Sequence, residues 1–380
     1  MVAVSGGRLF TWGCWWRPIV AAPLVLVAVA ASAPSADAAG WSVMPMPAGI
    51  GELTGVSCVS VSSCFAVASG GDAVRLAGGR WSIEPSATKG GGTSLDGVSC
   101  VSATACTAVG GYGATDCLGV GCAVGVAERW LGGDWSAQPI PPLPPNPAYA
   151  LPAGISCTTE RACITVGRTS QRTTLVDRLR GTRWSISPTP NPRRSGDIYL
   201  TAVSCTSATF CIAVGRAGWW PLIERLQGSR WRIERVRGLG WRSELTGVSC
   251  TSMTFCMAVG VAAAQGTGQL FKLAERYDGS RWSIVPTAPY VEQLRGVSCT
   301  SQSACTAVGS NGRGSTFAER WNGADWSTKR TPRLRGRFTT GSLAAVSCAS
   351  ATACIAVGSY RLDAYPYQDQ ALVERWTSGR

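Results

Sequence analysis

The 380-residue chain carries 35 lysines and arginines against 22 acidic residues, a formal charge of +13, and contains no histidine. The missing histidine excludes a Ser-His-Asp triad and any imidazole metal site. Charged residues make up 15% and hydrophobic residues 45%, a balance suited to sheets buried on both faces. The basic excess, almost all arginine, is a compositional trait, and no nucleic-acid partner is expected from it.

The first forty residues stand apart. Arg8 and Arg17 form a positive segment, Ile19 to Ala31 is an apolar run broken by Pro23, and Ala36-Asp37-Ala38 offers a small-x-small cleavage site. The run is shorter than the roughly 20 residues that span a bilayer. Residues 1–38 therefore read as a signal peptide, with Ala39 as the new N-terminus. A secreted protein follows, with no membrane span after signal removal and with cell-envelope association open to it. A retained signal anchor is the alternative.

From Leu53 onward one phrase is written seven times. Its clearest copy runs Leu294-Arg-Gly-Val-Ser-Cys299, five residues, Cys305-Thr-Ala-Val-Gly309, a gap, then Glu319-Arg-Trp-Asn-Gly-Ala-Asp-Trp-Ser327. Units begin near residues 53, 95, 151, 200, 245, 294 and 343. Each unit predicts four short strands: Leu-x-Gly-Val-Ser-Cys, Cys-x-Ala-Val-Gly, the segment ending Glu-Arg-Trp, and Trp-Ser-Ile-x-Pro. Asn322-Gly323 or Asp278-Gly279 turns the chain between the last two. Small and apolar residues occupy both parities, as in strands covered on both faces.

Four antiparallel strands repeated at a forty-odd-residue period predict an all-β fold, a seven-bladed β-propeller. The seventh unit reads Val373-Glu-Arg-Trp-Thr-Ser-Gly-Arg380, without its fourth-strand tryptophan. Trp41-Ser-Val-Met-Pro45 matches the missing strand. The N-terminal strand is thus expected to complete the last blade and close the ring, so residues 39–380 form one propeller without open sheet edges.

The run Gly-Val-Ser-x5-Cys-x-Ala-Val-Gly followed by Gly-x-x-Trp resembles the Asp-box (BNR-type) propeller repeats of sialidases, sortilin-like receptors and the photosystem II stability factor. It is similar also to secreted bacterial repeat proteins with the same S-C-x5-C phrase. The resemblance covers residues 41–380. Gly323 and Trp326 keep the places of the box S-x-D-x-G-x-T-W, while Glu319 and Trp321 stand where it has serine and aspartate. The resemblance implies the blade hairpin and no enzymatic activity.

Of 17 cysteines, Cys14 leaves with the signal. Fourteen form C-x5-C pairs: Cys58/Cys64, Cys100/Cys106, Cys157/Cys163, Cys205/Cys211, Cys250/Cys256, Cys299/Cys305 and Cys348/Cys354; Cys117 and Cys122 share one variable gap. An even count in an exported chain predicts disulfides, whose expected service is to protect the ring outside the cell. Cross-strand Cα separations of about 4.5–5.5 Å are expected for them. Without histidine or C-x-x-C, no metal and no cofactor is expected. Arginine recurs before the third-strand aromatic position as Arg75, Arg129, Arg178, Arg225, Arg276, Arg320 and Arg375, preceded in most units by an acid. Repetition in every unit marks these, and the fourth-strand tryptophans, as packing devices. Acid and arginine point to opposite sides of the strand, so each is expected to reach an adjacent blade, and stacking of arginine on the tryptophan of its own hairpin is open to it as well.

The residues that do not repeat carry the functional expectation. The second-to-third and fourth-to-first connections of a propeller open on one face, and there the variable gaps fall. A ligand surface is expected from Trp219, Trp220, Trp241, Arg216, Arg242, Tyr365 and Tyr367, because aromatics and arginine on loops of a rigid scaffold form recognition hot spots. The expected partner of this monomer is an extracellular glycan, cell-envelope polymer or protein. The alternative is a glycoside-active enzyme using two acids of the same face, from Asp72, Asp116, Asp197, Glu244, Glu292, Asp363 and Asp369.

Overall fold

The computed structural model describes residues 40–88, 92–113, 123–141, 150–193, 196–236, 241–287, 292–311, 314–334, 338–362 and 369–378, with backbone only at 123, 241, 338 and 339. The signal segment, Cys117, Cys122, Tyr365 and Tyr367 lie outside the described residues.

Seven four-stranded antiparallel sheets form the propeller, each with its strands in sequential order except the last. Blade 1 runs Leu53–Ser60, Ser63–Ala68, Ala73–Ala77 and Arg80–Glu84. Blades 2 to 6 begin with Thr93–Ser102, Ala150–Thr159, Ile198–Ser207, Trp241–Ser252 and Glu292–Ser301. Blade 7 comprises Phe338–Ser350, Ala353–Leu362 and Asp369–Thr377, completed at its outer edge by Gly40–Val43. Trp41 stands opposite Trp376 and Val43 opposite Glu374, so the ring closes through the N-terminal strand.

The repeated phrase has a local cause at each letter. In every blade the first strand pair slips register after its leucine, or after Pro152 in blade 3. This bulge drives a carbonyl against the second strand. A Cβ at Gly215 would stand 2.1 Å from the Tyr199 oxygen, and one at Gly358 2.0 Å from that of Ser342. The glycine closing Ala-Val-Gly is therefore a clearance, which Ala68 replaces in blade 1.

Directly opposed cysteines form all seven C-x5-C disulfides, and one detail corrects the sequence reading. Their Cα separations are 3.9–4.0 Å, closer than the expected 4.5–5.5 Å, because each pair occupies a narrow position just before a second register slip. The bridges also reach into the core. The second cysteine of each pair, Cys64, Cys106, Cys163, Cys211, Cys256, Cys305 and Cys354, is buried at 0–3% exposure. Each belongs to a hydrophobic cluster between blades, Cys64 beside Leu76 and Trp81, Cys211 beside Leu226 and Trp231. The reason is strand parity: the second strand lies inside its blade and is covered on both faces. Only the first-strand partners, Cys58, Cys100, Cys157, Cys205, Cys250, Cys299 and Cys348, are half-buried. Each bridge thus ties a half-buried first strand to the core between blades.

The core lies between blades, as strands apolar on both faces require. Ile164, Val166 and Val176 of blade 3, for example, pack with Leu200, Val203, Leu222 and Trp231 of blade 4. Around the inner ring, the serine of each Ser-Cys accepts the cysteine N–H of the following blade at 2.9–3.0 Å, from Ser57 with Cys100 to Ser347 with Cys58. Seven such bonds encircle the axis.

The recurring arginines reach the adjacent blade, as expected. Arg129 and Arg178 donate to the carbonyls of Glu160 and Ala208, each 2.6 Å away in the first turn of the next blade, and Arg320 donates likewise to Ala351. Their stacking partners correct the sequence reading. Arg75 lies over Trp130 of blade 2 and Arg320 over Trp376 of blade 7, so the ring belongs to the neighbour. The own-hairpin tryptophan is occupied by the third-strand residue opposite it, as in Trp321 with Trp326 at 5.7 Å and Tyr277 with Trp282 at 5.3 Å.

Candidate functional site

The second-to-third and fourth-to-first connections do share a face. Ser243, entering blade 5, donates its N–H to the Trp219 carbonyl of blade 4, and Gly218 donates to the Asp197 carbonyl that enters blade 4. At the other seam Ala371 donates to the Ile50 carbonyl. Three loops therefore converge at blade 4: residues 196–199, 216–220 and 241–244.

Their side chains build a cationic aromatic cluster. Tyr199 is opposite Arg216 in the first strand pair, and the Arg216 guanidinium lies 5.1 Å from its ring and 6.0 Å from that of Trp219. Arg242 covers Trp219 at 4.3 Å. Glu244 approaches Arg216 at 3.8 Å, an ion pair too long for a hydrogen bond. Trp219, in the turn after Gly218 at φ 60°, and Trp220, first in the third strand of blade 4, are each 45% exposed. Burial, then Glu244, pushes the Tyr199 hydroxyl up to about 12, keeping it a neutral donor.

Four of the expected residues, Arg216, Trp219, Trp220 and Arg242, thus come together. The Trp241 backbone begins blade 5, and its side chain is outside the described set. Arg168 was not among the expected residues, and Tyr199, a tyrosine of the variable gaps, was not among the seven named for the ligand surface. Tyr199 joins the cluster through the bulged pairing with Arg216, and the Arg168 charge acts on both Tyr199 and Asp96. A signal existed: Arg168 and Arg216 directly follow the Val-Gly of consecutive units.

Two further concavities open in the propeller. The axial channel, about 210 Å³, is lined by Thr54, Asp96, Thr201, Thr246 and Arg295 among others. Its threonine hydroxyls are spent on wall carbonyls, Thr54 on Leu95 at 2.6 Å and Thr201 on Leu245 at 2.8 Å. A cleft of about 520 Å³ between blade 7 and the closing strand is lined by Met44, Met46, Ile50, Leu334, Tyr360 and Leu372.

Five of the seven acids weighed for catalysis are described, and each of these has a partner or a buried place. Asp197 pairs with Arg172, Glu244 with Arg216, Glu292 with Lys272 and Asp369 with Arg361; Asp72 is buried; Asp116 and Asp363 lie outside the described residues. Lys272 bridges Glu292 at 2.6 Å and Glu319 at 2.8 Å. Its side chain is 0% exposed and that of Glu319 1%, while Glu292 is 12% exposed, so the lysine spends its charge on holding this carboxylate pair together. Among the described residues no cluster of three or more Cys, Asp or Glu could hold a metal, and no helix is long and apolar enough to cross a membrane.

The acid that precedes six of the seven recurring arginines, all but Arg75, is buried between blades. Glu128 accepts from Ser86 Oγ at 2.7 Å and from the N–H groups of Ala87 and Thr88. Asp177, Glu224, Glu275 and Glu374 have neither carboxyl oxygen in a well-formed hydrogen bond. Burial pushes them up to about 7, 8, 8 and 7, since a desolvated carboxyl resists ionisation. At Glu374 the nearby Thr316 hydroxyl holds the rise back.

No family model and no curated protein matches the chain. Solved structures do. The chain is similar to YCF48 bound to D1 peptide at 12% identity, covering 91% of this chain and 99% of that one with a TM-score of 0.58. It is similar to the WD40 repeats of RRP9 at 10% identity, 90% and 99% coverage and TM-score 0.61. It also matches the GH74 xyloglucanase from Xanthomonas campestris at 13% identity, 90% and 56% coverage and TM-score 0.57. Identities this low establish the β-propeller fold alone, and the Asp-box likeness stands at that level.

Proposed function

We propose that the chain is an extracellular binding module that holds a glycan or cell-envelope polymer on the loop face of blades 4 and 5. The observation that carries this is the pair Trp219 and Trp220, each 45% exposed and the first flanked by the guanidinium groups of Arg216 and Arg242. Large apolar rings left at a surface gain most by stacking on a partner, and sugar rings offer flat C–H faces for that purpose. Seven disulfides suit an oxidising compartment, in keeping with residues 1–38 as an export signal and with the mature chain acting as a monomer outside the cell.

A peptide partner is the second reading, favoured by the similar YCF48, which is bound to D1 peptide. A glycan array together with a glycosidase panel, run on the full chain, separates the readings. Retention of sugar without hydrolysis is expected. Hydrolysis would point to an enzyme, and silence on every glycan would leave the peptide reading in its place.

A further inference from the structure

We infer that the ligand of this surface is an acidic polysaccharide, whose uronate carboxylates or sulfates seat on Arg216 and Arg242 while its sugar rings lie against Trp220. The inference rests on the proposed glycan-binding reading and adds to it the charge of the ligand.

Charge balance at the cluster points this way. Arg168, Arg216 and Arg242 bring three fixed positive charges. Against them stand Glu244, 3.8 Å from Arg216, and Asp96, a channel-lining acid that accepts from Ser94 Oγ at 2.7 Å. Asp197, on the adjoining loop, already faces Arg172. The surface is left net positive, and the whole chain carries +13.

Geometry adds direction. A guanidinium stacked face-on over a ring keeps its N–H donors in the plane of the stack, pointing sideways, where a planar oxyanion can meet two of them. The Arg242 guanidinium carbon lies 4.3 Å from the centre of the Trp219 ring, with its backbone φ at 63°, in the left-handed region, where Arg172 is the other non-glycine residue among those described. Such a backbone is strained and persists where surrounding bonds impose it. The bond from Ser243 N–H to the Trp219 carbonyl at 3.0 Å does so, tying the strained residue to the ring it covers. Trp220, 45% exposed, offers an apolar surface beside the cations.

The test titrates the full chain at 0.15 M salt with polygalacturonate and dextran sulfate. Methyl-esterified polygalacturonate and dextran serve as the neutral counterparts, and polyglutamate as a polyanion without sugar. At least one acidic polysaccharide should bind tenfold or more tightly than its neutral counterpart and than polyglutamate. Arg216→Gln with Arg242→Gln should lose at least tenfold, Trp220→Ala likewise, and Arg216→Lys with Arg242→Lys, which keeps charge and loses the planar fork, an intermediate amount. Melting curves of the variants should overlay that of the parent. The lysine pair keeps the test alive where the glutamine pair fails to fold.

Neutral and acidic polymers binding alike would overturn the inference and leave the glycan reading standing. Polyglutamate binding as tightly as the acidic sugars, with Trp220→Ala without effect, would reduce the surface to unspecific attraction and overturn it too. Binding to no polysaccharide would remove both readings.

Discussion

Cys58 donates its backbone N–H to the hydroxyl of Ser347 at 2.9 Å, joining residues 289 apart in sequence. The bond is the same one that links every other neighbouring pair of blades, so the seam between first and last blade is built like the six continuous ones. A buried donor stripped of its acceptor costs about 1–3 kcal/mol. Ser347→Ala and Ser204→Ala should therefore lower stability by similar amounts in denaturant titrations. A negligible cost at Ser347 alone would show a seam that is not part of the cooperative ring.

Closure by the outer strand has its own test. Removing residues 40–46 strips Gly40–Val43 from Asp369–Thr377, exposes the Trp376 ring that packs on Trp41 at 5.8 Å, and opens a sheet edge. The melting temperature should fall sharply, with aggregation on heating. An unchanged melting curve would contradict closure through this strand.

The four buried acids Asp177, Glu224, Glu275 and Glu374 predict an unusual pH dependence. Their folded pKa values, about 7 to 8, lie above the ordinary 3.8 and 4.5, so the folded chain holds protons that the unfolded chain has released. Stability is then full below about pH 4 for this term and is lost as pH rises through 7 and 8, each group contributing at most about 1.4 kcal/mol per pH unit in between. The chain has no histidine, so no imidazole titrates in that window. Thermal melts should show a higher transition at pH 5.5 than at pH 8.5, and Glu224→Gln with Glu275→Gln should flatten the difference. A transition that rises with pH would refute the assignment.

Much of this molecule was legible in its sequence, for an identifiable reason. Strand order, hairpins and disulfides are relations within one unit, and the unit is written seven times, so accidental residues average out. Relations between units were harder to read. Arg320 stacking on Trp376, or Lys272 bridging Glu292 and Glu319, depends on how blades face each other, which no spacing encodes. The burial of Cys64 or Cys256 in the core between blades was missed for the same reason, although their pairing was not. The candidate surface falls between these cases. Trp219 and Trp220 stood out because they have no place in the repeat, whereas Tyr199 meets Arg216 only through a register slip after Leu200.

The cysteine framework is open to direct chemistry. All seven C-x5-C pairs should be found intact in unreduced peptide maps, and Cys117 should be joined to Cys122, a pairing outside the described residues. Each bridge closes a very short loop and contributes only about 2 kcal/mol in the chain-entropy account. Loss of one, as in Cys299→Ala with Cys305→Ala, should lower the melting temperature without abolishing folding. Because Cys305 is buried, the same change also leaves a small void between blades. Free thiols in several pairs would contradict the framework.

The central claim is that the loop face at blades 4 and 5 holds a glycan, and one measurement bears on it most directly. Trp220→Ala combined with Trp241→Ala is titrated with the glycan that the parent chain retains on an array, alongside a melting curve. The variant should melt as the parent does and bind more weakly by at least about 1–2 kcal/mol, as hot-spot truncations do, a loss of roughly fivefold to thirtyfold. A variant that unfolds, or that binds the same glycan with undiminished affinity, would contradict the account and make these indoles part of the scaffold.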